Sequence, residues 1–449
     1  MAVSIPTKLF INNEYVNAKS GQTITLYSSV DDSRVTSDVQ VAGPEDVDIA
    51  VAAAKAAFET GPWATFTGQQ RAACLLRFAD LAEKNAEELA RLESLHTGRT
   101  MSMISGFDVP HMCEVFRYYA GWADKIQGKT FPPDNGMYKI VNYSPIGVCA
   151  GMESWNVSFL YVSWKIAPAL VMGNTVRATI AYADPKISFT GSIAVAKKIQ
   201  EAAAKSNLKK VTLELGGNVA AVVFADAPFE AAIGLVGGGF LVNAGQVCAA
   251  ASRVLVQKSI AENFIAALKD VFLSIGNELG ASPMDPTSSR GPVVDKSQFK
   301  SIMSYIEDGK KSAQLLAGGS QKGNKSCFIE PTLFLDPPTD NKVWREEIFG
   351  PVLCVRTFET EEEAIKIAND TEYGLAACIY TKDITRALRI SSRLQSGNVA
   401  VNHPYIPQIQ APFGGIKQSG YGTELGYEGL LEWSHQTTIT INMNIPSQL

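Results

Sequence analysis

The sequence predicts an α/β protein whose parallel sheets are flanked by helices, and three observations lead to this fold class. Short apolar segments rich in β-branched residues alternate with amphipathic ones, as strands and helices do in βαβ order. Turn residues end several segments, as at Gly173-Asn174 and Gly216-Gly217. The 449-residue chain is 46% hydrophobic and 19% charged, which is enough apolar material for more than one core.

The first part of the chain is predicted to be mainly helical. Apolar residues recur at helical spacing over 44–59, where Pro44 suits a first turn, and again over 69–83 and 87–97. Residues 138–145 alternate between apolar and polar, which predicts a strand. The segment 159–171 is apolar throughout and predicts a buried helix.

Strands and helices then alternate along the rest of the chain. The pattern predicts helices at 193–205, 228–243, 260–275, 361–368 and 384–394, and strands at 210–215, 253–257, 351–358, 376–380 and 398–402. The tail 437–444 alternates Thr, Ile and Asn, which predicts a strand that could pair with another subunit.

Charge and cysteine content exclude several classes of protein. The net charge is −5 without basic blocks, so neither nucleic acid nor an anionic membrane is an expected partner. Glycines interrupt the most apolar stretch, 231–242, so no membrane span is expected. The N-terminus lacks a signal-peptide pattern and the seven cysteines are scattered, which predicts reduced thiols in the cytoplasm. The four histidines do not have ligand spacing, so no metal is expected.

Three residues are candidates for chemistry. Cys248 follows Gly245 and precedes three alanines, so a carbonyl carbon could reach its thiolate, although a single cysteine is more often a buried apolar side chain. Glu214 lies in an apolar strand, where burial would raise its pKa toward that of a general base, although it could equally face solvent. Asn156 lies in a loop and could donate to an oxyanion, although loop asparagines usually serve turns.

Together with these residues, a series of segments in register resembles the aldehyde dehydrogenase superfamily from Leu9 to near the C-terminus. The segments are Leu9-Phe-Ile-Asn-Asn-Glu14, Trp155-Asn156, Trp164-Lys-Ile-Ala-Pro-Ala-Leu170, Gly173-Asn-Thr175, Phe189-Thr-Gly-Ser192, Leu213-Glu-Leu-Gly-Gly217, Gly245-Gln-Val-Cys248, Glu346-Glu-Ile-Phe-Gly-Pro351 and Pro412-Phe-Gly-Gly415. The resemblance implies a doubly wound cofactor domain over 1–123 and 146–215 and a catalytic α/β domain over 216–415. It also implies an oligomerisation β-arm from 124–145 and 420–449, and therefore a homodimer or homotetramer.

The resemblance further implies a reaction at Cys248. The thiol would attack an aldehyde to give a thiohemiacetal, hydride transfer to NAD or NADP would leave a thioester, and water would release the carboxylate. Glu214 matches the base, and Asn156 together with the Cys248 backbone N–H matches the oxyanion site. The implied cofactor-binding residues are Gly191, Ser192, Glu347, Phe349 and Trp155.

The departures from the family concentrate in the cofactor domain. Between Val176 and Phe189 lie 12 residues (189 − 176 − 1), where the family has a helix, a strand and another helix. A strand–helix–strand unit alone needs about 30 residues, so the doubly wound sheet is expected to be truncated. Thr179 and Tyr182 occupy the positions of the lysine and glutamate that hold the adenosine ribose, which predicts weakened or lost nucleotide binding. Smaller departures are Ser154 and Ser158 in place of prolines, Ala194 and Ala196 after Ser192, and Asn218-Val-Ala after the glycine pair.

Three functions remain open on these observations. The first is an NAD(P)-dependent aldehyde dehydrogenase. The second is a cofactor-independent isomerase, cyclase or dehydratase that acts on a carbonyl compound in the same pocket, and the third is a catalytically silent family member. A splicing or gene-assembly artefact would produce the same junction. The substrate itself does not follow from the sequence: Tyr118, Trp122, Phe240 and Tyr405 could line an aromatic entrance, but such residues more often belong to a core.

Overall fold

Two large sheets organise the chain, in a computed structural model that describes residues 5–177, 184–324 and 326–444. Within the described residues the first, which we call the cofactor-type sheet, has five strands in the spatial order Gly420–Tyr421, Lys210–Leu215, Lys186–Gly191, Val148–Met152 and Thr175–Arg177. The second, the catalytic sheet, has seven described strands in the order Gln314–Ala317, Thr332–Leu335, Val352–Phe358, Arg253–Gln257, Ala220–Val223, Ala376–Tyr380 and Asn398–Val401. One antiparallel strand lies at an edge of each sheet and the other pairs run parallel.

Helices cover these sheets, as parallel strands buried on both faces require. The longer described helices are Pro44–Glu59, Gly68–Lys84, Ala86–Thr97, Val109–Ala120, Ser158–Val171, Ile193–Lys205, Ala261–Glu278, Lys296–Gly309, Glu361–Asn369 and Ile384–Ser391. The shorter ones are Met101–Met103, Phe229–Ile233, Lys342–Arg345 and Gly426–Leu431. The α/β fold class is therefore confirmed. Among the described helices, none combines the length and the apolar character that a bilayer crossing needs.

The predicted helix 228–243 is confirmed over 229–240, but it is not a regular α-helix and it ends earlier than predicted. The chain is α-helical at Phe229–Ile233, forms a wider π-helical turn at Gly234–Gly238, is α-helical again at 239–240, and continues into a short 3₁₀ turn at Val242–Gly245. Helical periodicity is local, and the run of glycines offers no side chains that would fix ordinary α-helical packing. The irregular turns lead directly into the loop that carries Cys248.

The junction at which the cofactor-type sheet is shortened connects two buried strands that lie on either side of Val148–Met152. Thr175–Arg177 forms one edge of the cofactor-type sheet and contains three residues, and Lys186–Gly191 begins eight positions later (186 − 177 − 1). Residues 178–183, and with them Thr179 and Tyr182, lie outside the described residues. The side chains of Arg177 and Asp184 are buried and form an ion pair across the junction.

A three-stranded antiparallel sheet forms the expected arm. Ser434–Asn442 pairs with Met137–Pro145, which in turn pairs with Lys129–Phe131. Beyond the buried Ser434, the residues of the outer strand are exposed. Gly420 and Tyr421, which were expected in the arm, pair instead with Lys210–Leu215 in the cofactor-type sheet. The division into domains at 123, 146, 216 and 420 stays a prediction.

Two small hairpins precede the first helix, Leu9–Ile11 with Glu14–Val16 and Thr23–Tyr27 with Arg34–Gln40.

Candidate active site

Cys248 lies in a tightly folded loop that precedes the strand Arg253–Gln257. Three consecutive residues before it, Asn243, Ala244 and Gly245, have left-handed backbone conformations with φ of 51°, 54° and 72°. A Cβ at Gly245 would overlap the carbonyl oxygen of Gly350, so the loop packs against the neighbouring segment as only glycine allows. Non-glycine residues with positive φ carry strain that the surrounding structure must hold, and such strain concentrates at functional sites.

The Cys248 side chain lies where two cavities of about 260 Å³ each meet. One cavity is largely polar and opens toward the ends of the cofactor-type strands Lys186–Gly191 and Lys210–Leu215. The other is apolar, and its lining includes Leu160, Trp164, Leu235, Phe240, Tyr405 and Phe413. Burial, together with the Glu347 and Glu214 carboxylates, raises the pKa of the Cys248 thiol to about 12.

Glu214 is buried at the end of the strand Lys210–Leu215 and lines the polar cavity with Cys248. Both carboxylate oxygens are buried without a hydrogen-bond partner among the described residues. Burial therefore raises the pKa of Glu214 well above its ordinary value, as the sequence predicted, and the charge of Glu424 adds to the effect. A carboxyl group in such an environment is suited to general base catalysis near neutral pH.

A buried ion pair lies behind Glu214. Lys165 Nζ donates to Glu424 Oε1 at 2.5 Å and to Thr190 Oγ1 at 2.7 Å, and Ser188 Oγ donates to the same Glu424 oxygen at 2.9 Å. The positive charge of Lys165 lowers the pKa of Glu214 and so opposes the larger effects of burial and of Glu424. The ionisation of Glu214 is thus set by burial and by two charged groups from other parts of the chain, Glu424 and Lys165.

Asn156 ties the loop after strand Val148–Met152 to the Cys248 loop. Its Nδ2 donates to the backbone carbonyl of Gln246 at 3.0 Å, and Asn243 Nδ2 donates to the Asn156 carbonyl at 3.0 Å. The side chain is 1% exposed and lines the polar cavity beside Cys248. Because an amide nitrogen carries two hydrogens, one N–H is left for an oxyanion, as the resemblance implies.

Trp155, Phe349 and Glu347 form one wall of the polar cavity. The Trp155 and Phe349 rings meet edge to face, with centroids 5.5 Å apart, and Phe349 has a φ of 55°, which is rare for an aromatic residue. Glu347 Oε1 accepts from the Gly217 N–H at 3.0 Å, and a Cβ at Gly216 would overlap the Glu347 carboxylate. Burial raises the pKa of Glu347 to about 7.

Gly191 and Ser192 bring a helix N-terminus to the same cavity. Ser192 is the N-cap of Ile193–Lys205, and its hydroxyl accepts from the Val195 N–H at 3.4 Å. A Cβ at Gly191 would overlap the Phe189 ring, so the strand can turn into the helix here only with glycine. The exposed N–H groups and the helix dipole at this end favour an anionic group.

All eight residues selected from the sequence line the polar cavity, namely Cys248, Glu214, Asn156, Gly191, Ser192, Glu347, Phe349 and Trp155. Their individual roles stay predictions. Of the four aromatic residues considered for an entrance, Phe240 and Tyr405 line the apolar cavity, whereas Tyr118 and Trp122 are not among its lining residues.

Sequence reasoning missed Tyr161, which lines both cavities. The sequence did contain a signal for Tyr161. The residue lies on the predicted helix 159–171, five positions after Asn156, and it precedes Trp164 by three positions, which places both rings on the same helix face. Gln298, Ser301 and Tyr305 of the helix Lys296–Gly309 also line the polar cavity and were not selected from the sequence.

Comparison with known proteins matches most of the chain to one family. The model of the aldehyde dehydrogenase family matches residues 15–183 and 181–439. The chain is 41% identical to an aldehyde dehydrogenase of Alternaria alternata, covering 98% of this chain and 96% of that protein. It is 39% identical to human retinal dehydrogenase 2, covering 97% and 92%. Among solved structures, the NAD⁺ complex of aldehyde dehydrogenase from Bacillus cereus is 34% identical with a TM-score of 0.93, covering 98% of this chain and 97% of that one.

These matches also locate the shortening. The family match is divided into two parts that meet at 181–183, within the junction between the strands Thr175–Arg177 and Lys186–Gly191. The alignment with the Alternaria protein extends over 480 positions, whereas 98% of 449 residues is about 440, so this chain has no residue at about 40 of the aligned positions.

Proposed function

The chain belongs to the aldehyde dehydrogenase family, and we propose that it oxidises an uncharged, apolar aldehyde to the carboxylate through Cys248, with NAD or NADP as the hydride acceptor. One observation carries the assignment of residues. The candidate nucleophile, base and oxyanion donor line a single polar cavity, and the candidate nucleophile also lines an adjoining apolar cavity. The two reactants can therefore approach Cys248 from opposite sides.

The apolar cavity supports an uncharged substrate. Two ionisable residues in its lining offer no unpaired charge: the Arg99 guanidinium pairs with the Asp108 carboxylate through Nε and Nη2 at 2.6 and 2.8 Å, although its buried Nη1 has no hydrogen-bond partner among the described residues, and burial lowers the pKa of His111 to about 4. Trp164 Nε1 donates to His111 Nε2 at 3.0 Å, which fixes the neutral ring. A charged aldehyde would lose its hydration in this cavity without gaining an opposite charge.

The residues of the chain then act in sequence. Cys248 Sγ forms a bond to the aldehyde carbon, and the oxygen becomes an alkoxide that accepts hydrogen bonds from Asn156 Nδ2 and the Cys248 N–H. Loss of hydride from that carbon leaves a thioester. Glu214 takes a proton from a water molecule, the water oxygen attacks the acyl carbon, and the C–S bond breaks to release the carboxylate and the Cys248 thiolate.

The polar cavity fits the nicotinamide half of the cofactor. Trp155 and Phe349 offer flat apolar faces, Glu347 offers carboxylate oxygens for ribose hydroxyls, and the helix that begins after Ser192 favours a phosphate. When bound, the dinucleotide supplies the carbon that accepts the hydride. Because Gly216 has no side chain, the Glu347 carboxylate can lie against the backbone on this wall of the polar cavity.

We infer weaker binding of the adenosine half, because eight residues connect strands between which relatives place a helix–strand–helix unit. Loss of one charged hydrogen bond costs about 1.5–3 kcal/mol, or about 10- to 100-fold in affinity. Nicotinamide mononucleotide, which lacks adenosine, should therefore reach a kcat/KM within about tenfold of that of NAD, since the part of NAD it lacks contributes little binding. A preference for NAD of several thousandfold would contradict this inference.

The function is tested by incubating the protein with hexanal and NAD or NADP. We expect the reduced nucleotide and hexanoate to form in equal amounts, and mass spectrometry of the quenched protein to find hexanoyl on Cys248. C248A should abolish both signals, whereas C74A, which changes an exposed cysteine on the helix Gly68–Lys84, should keep them. Full turnover by C248A would contradict the assigned nucleophile, and no hydride transfer at several millimolar of either nucleotide would contradict the dehydrogenase function.

The shortened junction also favours a second candidate, a cofactor-independent enzyme in which Cys248 and Glu214 isomerise, cyclise or dehydrate a carbonyl compound. The same incubation without nucleotide separates the two. A product of unchanged oxidation state would support the second candidate, and no product with or without nucleotide would indicate a silent family member.

We further infer a homodimer or homotetramer built through the arm, because the outer strand Ser434–Asn442 leaves its backbone edge and most of its side chains exposed. Sedimentation of the whole protein tests this, and a monomer at micromolar concentration would contradict it. A cytoplasmic location follows as a proposal from the scattered free cysteines and is tested by cell fractionation.

A further inference from the structure

Tyr161 contacts the sulfur of Cys248. The side chain projects from the helix Ser158–Val171 and is 3% exposed, and its hydroxyl oxygen lies 3.6 Å from Cys248 Sγ. Among the described lining residues, Tyr161 and Cys248 are the two that the polar and apolar cavities share. The hydroxyl is therefore placed at the point where the aldehyde must meet the thiolate.

Packing fixes the direction of the Tyr161 ring. The ring meets Trp164 of the same helix edge to face with centroids 5.3 Å apart, and Lys165 Nζ, also on this helix, lies 5.6 Å from the ring centroid. A ring held by such neighbours has few alternative rotamers, so the hydroxyl stays near the sulfur. Burial and the neighbouring Cys248 raise the pKa of Tyr161 well above its ordinary value, so the phenol keeps its proton and acts as a donor.

The surroundings of Cys248 otherwise disfavour a thiolate. Burial and the Glu347 and Glu214 carboxylates raise the pKa of Cys248, whereas the Tyr161 hydroxyl and the Ala249 backbone N–H lower it. A hydrogen bond to a charged acceptor is worth more than one to a neutral group, so a phenol beside the sulfur stabilises the ionised form selectively.

We propose that Tyr161 is a further catalytic residue, whose hydroxyl donates a hydrogen bond to the Cys248 thiolate and so favours ionisation of the nucleophile and directs it between the two cavities. The phenol keeps its own proton throughout, and the proton of the thiol leaves to solvent or to the base. This proposal rests on the proposed function only in taking Cys248 as the nucleophile.

The experiment measures alkylation of Cys248 by iodoacetamide against pH in the whole protein, without aldehyde or nucleotide, with mass spectrometry identifying the modified cysteine. In this reaction the thiolate sulfur displaces iodide from the CH₂ carbon, so the rate follows the ionised fraction. Y161F should move the midpoint of the profile upward by about one pH unit and slow alkylation at pH 7 about tenfold, because the variant loses the donor while keeping the ring.

The matched control is Y119F. Tyr119 is also buried, its hydroxyl donates to the Gly426 carbonyl at 3.1 Å, and it is not among the residues that line either cavity. This variant loses an equivalent hydrogen bond and should keep the midpoint of the wild-type protein. An unchanged midpoint in Y161F would overturn the proposal. A lower midpoint would also overturn it, because it would mean that the Cys248 thiol donates to the Tyr161 oxygen.

A second variant keeps the test decisive should Y161F fail to fold. Fluorotyrosine at position 161 preserves the ring and strengthens the phenol as a donor, so the midpoint should move downward; no movement would overturn the proposal. The outcome is independent of turnover. If the midpoint shifts but the protein has no dehydrogenase activity, the role of Tyr161 is supported and the proposed function is contradicted. If the protein is active but the midpoint does not shift, the proposed function is supported and the role of Tyr161 is contradicted.

Discussion

The two cavities that meet at Cys248 are built by different physical means. The polar cavity is shaped by backbone: glycines at 191, 216 and 245 allow close approaches, and Phe349 and the residues before Cys248 adopt left-handed conformations. The apolar cavity is shaped by side-chain packing between the helix Ser158–Val171 and the segments that carry Phe240 and Phe413. The polar cavity is therefore specified by backbone geometry, whereas substitution of single side chains can change the apolar cavity.

The largest effect is expected on the polar side. E214Q removes the base while keeping the size of the side chain, so kcat should fall about 10²- to 10³-fold and the acyl thioester on Cys248 should accumulate. Quenched-flow mass spectrometry measures both. The control is E153Q, which changes a carboxyl group whose pKa burial also raises but which is not among the residues that line either cavity. Equal loss in both variants would indicate a general electrostatic effect and not a base at 214.

The next effect tests the apolar side. Butanal and succinic semialdehyde have the same number of carbon atoms, but the second carries a carboxylate that would enter a cavity without a free positive charge. Butanal should have a kcat/KM about 100-fold higher, because an unpaired buried carboxylate costs several kcal/mol. Steady-state rates at fixed nucleotide concentration measure the ratio. Equal values would mean that Arg99 leaves Asp108 to bind the substrate.

The smallest effect concerns Glu347. E347Q should raise the KM for NAD about tenfold, because an amide is a weaker acceptor for ribose hydroxyls than a carboxylate. It should also change stability with pH. Burial raises the pKa of Glu347 from 4.5 to about 7, so the stabilisation from this group is complete below pH 4.5 and is lost as the pH rises through 7.

Glutamine does not titrate, so E347Q does not lose this stabilisation as the pH rises. Between pH 5 and pH 8 its free energy of unfolding should therefore increase relative to that of the wild-type protein, by at most about 3 kcal/mol. Urea unfolding at several pH values measures the difference. If the difference in free energy of unfolding between the two proteins stays constant with pH, Glu347 has an ordinary pKa in the folded protein, and burial in the polar cavity does not affect its ionisation.

Much of the fold could be predicted where the pattern of apolar residues is local and regular. The helix Ile193–Lys205 and the strands Lys210–Leu215, Arg253–Gln257 and Ala376–Tyr380 have the bounds that the sequence predicted. The helix predicted at 228–243 is present over 229–240, but periodicity did not reveal the π-helical turn that its glycines permit or its earlier end. The prediction also missed the helices Val109–Ala120 and Lys296–Gly309, which the analysis of periodicity did not identify. Pro110 lies in the first turn of the former, where proline is tolerated, so its presence did not exclude a helix.

The residues of the candidate site could be selected from sequence motifs, but the distances between them could not be predicted. The eight residues selected from the sequence come from segments spread over 155–349, and that they line one cavity follows only from how the two sheets and their loops fold together. Tyr161 shows the limit most directly. Its position on a helix was predictable, whereas the 3.6 Å contact with a sulfur 87 positions later in the chain was not.

The fold class, the family resemblance and the shortened segment between residues 176 and 189 could all be predicted from the amino-acid order, because periodicity, motif order and spacing are properties of the chain before it folds. Only the tertiary structure decided that Cys248 lies between a polar and an apolar cavity, that Arg177 and Asp184 join the shortened junction, and that Tyr161 touches the sulfur. Contacts of this kind depend on the relative placement of elements far apart in the chain, and the packing of all of them together sets that placement.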